Sequence, residues 1–207
     1  MSWADKELDR QISTVHRLGY PALAGLTAAD FDERLAPLRD MAVSLPTPSD
    51  GDGRIPLLLV VRHDLVPTTA AVERWTVHGR TGWTDMAEEL ADYRPIEGVD
   101  VPDAPAYLLL DVDTGRQTLG VAPEDALPQI LDAGRTPLTI DEGVALVTQR
   151  PEVFTTHNAF QAIGSRAPNR RVPSLWVSKG APRLGWCWAG NPHSWLGAAS
   201  AGARLAG

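Results

Sequence analysis

The stretch Val172-Pro-Ser-Leu-Trp176-Val-Ser-Lys179-Gly-Ala-Pro-Arg183-Leu-Gly-Trp186-Cys-Trp188 is the strongest structural signal in the chain. Residues 172–178 and 184–188 are β-rich runs on either side of Lys179-Gly-Ala-Pro-Arg183, and glycine and proline between such runs predict a hairpin. A strand period of two puts Trp186 and Trp188 on one face with Cys187 opposite. Trp176 alternates likewise with Leu175 and Val177 on the neighbouring strand. Two or three indoles are therefore expected on one sheet face, bordered by Lys179 and Arg183.

The hairpin lies in a segment of unusual charge. Residues 153–207 contain no Asp or Glu, yet carry Arg166, Arg170, Arg171, Lys179, Arg183 and Arg204. The preceding 152 residues hold 13 Lys/Arg against 26 acids, so a body of formal charge −13 precedes a tail of +6. Without a competing carboxylate nearby, guanidinium groups are free to hold an anion. A ring stacked on the indoles, with its phosphate or carboxylate held by these cations, is the ligand this pattern suits. The bland alternative buries the tryptophans and pairs the cations with the acidic body.

Outward from the hairpin, the rest reads as α+β, with N-terminal helices followed by a mixed or antiparallel sheet with hairpins. Ser2 and Asp5 form a capping box before Leu8, Ile12 and Val15 at helical spacing. Thr27 and Asp30 repeat the cap before Phe31, Leu35 and Leu38, with Pro37 expected to break or kink that helix. Residues 1–43 thus make a helical piece, 44–54 a proline- and glycine-rich linker, and 55–207 an α+β core, all within one domain. The apolar run at 55–62 predicts a strand buried on both faces. Residues 107–113 and 117–121 around Thr114-Gly115 predict a second hairpin, which makes Asp111 and Asp113 turn residues. Pro123 starts a helix, and Thr139 with Glu142 caps another that Pro151 ends.

Length and composition bound the function. The 207 residues are 43% hydrophobic, enough for one core, and the longest apolar run is too short to span a bilayer. A cytoplasmic location is expected, and the single Cys excludes an intrachain disulfide. A net charge of −7 argues against a DNA partner. No P-loop, GxGxxG or HExxH motif is present, no metal-ligand spacing appears, and nothing names a cofactor. Cys187 is a candidate nucleophile with His157 or His193 as its base, although a Cys between two tryptophans more often packs as a small hydrophobe. Asn191-Pro-His193 reads as a polar turn, and Gly164-Ser-Arg166 as a glycine turn after a helix ending near Ile163. With Arg170 and Arg171 leading into the next strand, these turns are expected to converge at one edge of the aromatic sheet. Three functions stay open: a site for a small anionic molecule, an enzyme using Cys187 or His193, and a protein-interaction module.

The run Arg170-Arg-Val-Pro-Ser-Leu-Trp-Val-Ser-Lys-Gly-Ala-Pro-Arg-Leu-Gly-Trp-Cys-Trp188, continuing through Ala-Gly-Asn-Pro-His193, resembles an actinobacterial family known only as a domain of unknown function. Arg17-Leu-Gly-Tyr-Pro-Ala-Leu-Ala-Gly-Leu26 and Pro137-Leu-Thr-Ile-Asp-Glu-Gly-Val-Ala-Leu-Val-Thr148 carry the same resemblance. It implies one full-length domain and an actinobacterial cytoplasm, and no assigned activity.

Overall fold

The computed structural model describes residues 2–48, 53–154 and 159–207. Its helices are α1 (Trp3–Arg17), α2 (Tyr20–Leu23), α3 (Ala28–Val43), α4 (Thr68–Val72), α5 (Pro123–Asp132) and α6 (Ile140–Gln149). Its strands are β1 (Ile55–Val61), β2 (Thr76–Val77), β3 (Arg80–Thr81), β4 (Trp83–Thr84), β5 (Arg94–Pro95), β6 (Ala106–Val112) and β7 (Thr136–Pro137), then β8 (Ala159–Gln161), β9 (Ser165–Arg166), β10 (Arg171–Ser178), β11 (Ala181–Trp188), β12 (Leu196–Ala198), β13 (Ser200–Ala201) and β14 (Ala203–Leu205). This is an α+β fold. A three-stranded antiparallel sheet has the order β1-β6-β14, and a mixed five-stranded sheet the order β12-β8-β10-β11-β4.

The apolar run of β1 is buried on both faces, as its composition dictates, with Leu57, Leu58 and Val60 fully buried. β1 is also an edge strand, and α1 closes that edge with a side chain. Gln11 Nε2 donates to the Leu57 carbonyl at 2.8 Å, and the Leu59 amide donates to Gln11 Oε1 at 2.6 Å, so one amide stands in for a missing strand. The Ser2–Asp5 capping box starts α1, and Leu8, Ile12 and Val15 face the core as their spacing predicts. One apolar cluster runs from Leu8 and Phe31 through Leu59, Tyr107 and Leu146 to Phe160, Leu175 and Leu184.

Three expectations are corrected. Of the break or kink expected at Pro37, the break does not occur: α3 continues to Val43 with Phe31, Leu35, Leu38 and Ala42 buried on one side and the proline ring exposed on the other. Thr114-Gly115 does not join a hairpin. Asp113 Oδ1 accepts from the Gly115 amide at 2.7 Å, and the chain then enters a 3-10 turn at Arg116–Thr118, while β6 takes β1 and β14 as partners. Among the described residues no helix ends near Ile163; residues 159–161 form β8, paired with β10 and β12. Of the linker at 44–54, residues 49–52 lie outside the described residues, and Trp3 Nε1 donates to the Pro46 carbonyl at 2.9 Å.

The tail is woven into the fold by charge as well as by strands. Glu142, fully buried in the first turn of α6, receives Arg204 of β14 through both oxygens, at 2.5 Å from Nε and 2.9 Å from Nη2. Tyr107 of β6 donates its hydroxyl to Oε1 at 2.8 Å, and the Thr139 amide donates to Oε2 at 2.7 Å. Burial and the adjoining Glu142 carboxylate push the Tyr107 phenol far up, so it serves as a neutral donor. Removing the cation from such a pair strands a buried charge. Arg204→Ala should lower the free energy of unfolding in urea by about 3–5 kcal/mol, the usual result of breaking a buried pair; a loss within the range of a surface substitution would refute this role.

Candidate functional site

The hairpin forms where expected but with a tighter turn. Lys179 (φ +52°) and Gly180 (φ +78°) make a two-residue loop, and Ala181, Pro182 and Arg183 belong to the strand. Trp176 therefore pairs with Arg183, while Trp186 pairs with Pro173 and Trp188 with Arg171. Directly opposed residues share a face, so Trp176 lies on the face opposite Trp186 and Trp188. Two of the indoles, Trp186 and Trp188, thus share one face as expected, and the third, Trp176, does not join them. The segments around Arg166, Arg170 and Asn191 approach one another at the Arg171–Trp188 end of the hairpin, where the Ala167 amide donates to the Arg171 carbonyl and the Ala189 amide to the Arg170 carbonyl, each at 3.0 Å, while Lys179 lies at the other end.

Most tail cations are already occupied. Arg183 lies between Trp83 and Trp176, 4.6 Å from each ring, and pairs with Asp85 at 2.6 Å; that hydrogen bond holds the Asp85 carboxyl below its ordinary value. Arg171 sits 3.8 Å over Trp186 and pairs with Glu89 at 2.6 Å. Arg170 pairs with Glu124. Lys179 is exposed and Arg166 half-buried, and neither has an ion pair with a described residue. Trp188 is 47% exposed.

The candidate nucleophile, Cys187, is a half-buried free thiol. Burial pushes the Cys187 thiol up, against weaker lowering by hydrogen bonds with Ser174 and Gln161. Its side chain joins the apolar cluster of Val172, Ile163 and Ala126 beneath α5. Burial lowers His193, which contacts Trp195 at 5.4 Å and Asn191 at 3.4 Å. His157 lies outside the described residues.

A different pair stands beside a cavity. β1 delivers His63 two residues past its end, and the first turn of α6 presents Asp141 to it, with His63 Nδ1 2.8 Å from Asp141 Oδ2. Asp141 is nearly buried and the His63 side chain is 49% exposed. The hydrogen bond His63 donates to the Asp141 carboxylate raises the His63 pKa, helped by the Asp141 and Asp64 charges and opposed by burial and Arg62. His63 Nε2 is 3.3 Å from Asp64 Oδ1 on an exposed side chain. The adjoining cavity, about 470 Å³, is lined by His63, Thr68, Thr69, Tyr93, Arg94 and Ile140 among others. Tyr93 is 4% exposed, and its hydroxyl is buried with no hydrogen-bond partner. Burial, then the Glu89 charge, pushes that phenol well up, so it remains a donor. Cavities of about 260 Å³ beside Trp3 and about 320 Å³ between Arg10, Arg17 and Arg74 have no histidine in their walls.

A family model matches residues 14–207. The chain belongs to a family of unknown function, DUF5701. No curated protein and no solved structure matches the chain. Membership in this family assigns no activity, so the chemistry rests on the residues. Among the described residues, no helix is long and apolar enough to cross a membrane, and no group of three or more His, Cys, Asp or Glu is placed to hold a metal ion.

His63 and Asp141 went unread in the sequence because they lie far apart and neither belongs to a motif. The Thr139–Glu142 box marked the start of α6, but not what its second residue would meet.

Because Asp141 raises His63 above its unfolded value, the pair's stabilisation is fully present below the unfolded pKa, about 6.5, and is lost as pH rises through the raised value. The excess stability of wild type over His63→Asn in urea should thus be larger at about pH 5.5 than at about pH 8.5, and the exposure of the ring keeps the change to about 1 kcal/mol or less. An excess that grows with pH would contradict the pairing.

Proposed function

We propose that the protein binds a small anionic molecule in the cavity beside His63, and that His63 exchanges a proton with it through Nε2. The observation that carries this reading is the Asp141–His63 pair at the cavity wall. A carboxylate on Nδ1 fixes the tautomer and orientation of the ring, which leaves Nε2 to act as acid or base near neutral pH. The lining supports an anion. Arg94 brings a guanidinium, Tyr93 an unpaired hydroxyl, and Thr68 and Thr69 two further hydroxyls. Leu90, Pro67 and Ile140 add apolar wall against which an organic group can pack.

A second reading keeps the ligand on the Trp-rich sheet, favoured by the exposed Trp188 with Trp186 5.1 Å away. The stacking and pairing of Arg171 and Arg183 weaken it, since an incoming anion would have to displace Glu89 or Asp85.

Histidine NMR during titration with small carboxylates and phosphate esters separates the two. The cavity reading expects at least one anion to move the His63 resonance and raise its titration midpoint, with tryptophan fluorescence little changed. Ala91→Trp, placed on the cavity wall, should abolish the effect. Quenched tryptophan fluorescence with an unmoved His63 would instead select the sheet.

A further inference from the structure

We infer that the anion recognised at this cavity is a dianion, a phosphate monoester of a small organic group, held at the Arg94 end by a clamp of Arg94 and Arg166; this rests on the cavity reading above. β5 and β9 form a two-residue antiparallel ladder in which Arg94 lies directly opposite Arg166. Opposed residues share a face with their Cβ atoms about 5 Å apart, and like charges in that position repel. Proteins avoid such pairs unless something offsets them. Here neither arginine forms an ion pair with a described residue, and Arg166 Nε and Nη2 are buried without any hydrogen-bond partner.

Buried guanidinium nitrogens without acceptors are costly, and two uncompensated cations facing one another define a place for two negative charges. Arg94 also lines the cavity beside His63, as does Tyr93, whose hydroxyl is buried without a partner; Arg166 is not in that wall and meets the site through its place opposite Arg94 in the β5–β9 ladder. A monoanionic carboxylate neutralises one guanidinium; a phosphate monoester neutralises both and has oxygens to spare for Tyr93. The apolar wall at Leu90 and Ile140 leaves room for the organic part.

The test compares phenyl phosphate with benzoate, which share a ring and differ in charge, together with inorganic phosphate, by isothermal calorimetry with the His63 resonance followed in parallel. Phenyl phosphate is expected to bind more tightly than benzoate and to move His63. Arg166→Gln should weaken phenyl phosphate by about 10- to 100-fold, a charge-assisted hydrogen bond or two, with Arg166→Lys recovering part of the loss. Arg94→Gln should raise the melting temperature of the ligand-free protein while weakening phenyl phosphate, a combination that a purely structural arginine does not give. If both ligands move His63 and neither arginine variant discriminates between them, the dianion inference is overturned and the cavity reading survives. If neither ligand moves His63, both are overturned.

Discussion

The charge on Glu142 is fully buried, and four donors hold it there: two guanidinium nitrogens of Arg204, the Tyr107 hydroxyl and the Thr139 amide. An ionised carboxylate in such a place is tolerated only when its lone pairs are met. Meeting them fixes three elements at once. β14 is drawn against β6, β6 contributes its tyrosine, and α6 is pinned by its first turn. Asp141 is the neighbouring residue in that turn and points to His63 at the end of β1. The buried pair thus sets the position of the exposed one.

The split of charge between body and tail acquires a structural meaning. Arg170, Arg171, Arg183 and Arg204 of the tail pair with Glu124, Glu89, Asp85 and Glu142 of the body, so the tail is free of acids because its cations take theirs from elsewhere in the chain. These contacts close long loops with groups that a local carboxylate would otherwise capture. Arg183 also fills the gap between Trp83 and Trp176, where its flat guanidinium stacks on both rings as an ammonium would not. Arg166 and Lys179 are the tail cations outside this pattern among the described residues, and Arg166 is the one with buried, unsatisfied nitrogens.

Much of the fold was legible in local chemistry. Capping boxes marked α1 and α6, an unbroken apolar run marked β1, and β-branched and aromatic runs marked β10 and β11. The sheet face was not legible, for a reason of parity. A five-residue loop at 179–183 would have set Trp176 opposite Trp186, whereas the two-residue loop sets it opposite Arg183 and turns it to the other side. Pro182 pointed away from a strand, yet it is accommodated within β11 opposite Val177. The hairpin at Thr114-Gly115 failed because turn residues announce a change of direction and not the strand or helix that the chain enters next. His63 and Asp141 were invisible because no local pattern records which helix end will lie against which strand end. Charge composition flagged cations correctly but could not tell which were already paired.

On the proposed reading, the first turn of α6 builds a binding site outward, at His63, while it anchors the fold inward, at Glu142. A crystal structure of the protein soaked with phenyl phosphate puts this double role to the test. Phosphate density bounded by His63 Nε2, Arg94 and the Tyr93 hydroxyl is expected, with the aromatic ring against Leu90 and Ile140. Density on the tryptophans of β10 and β11, with only water beside His63, would contradict it.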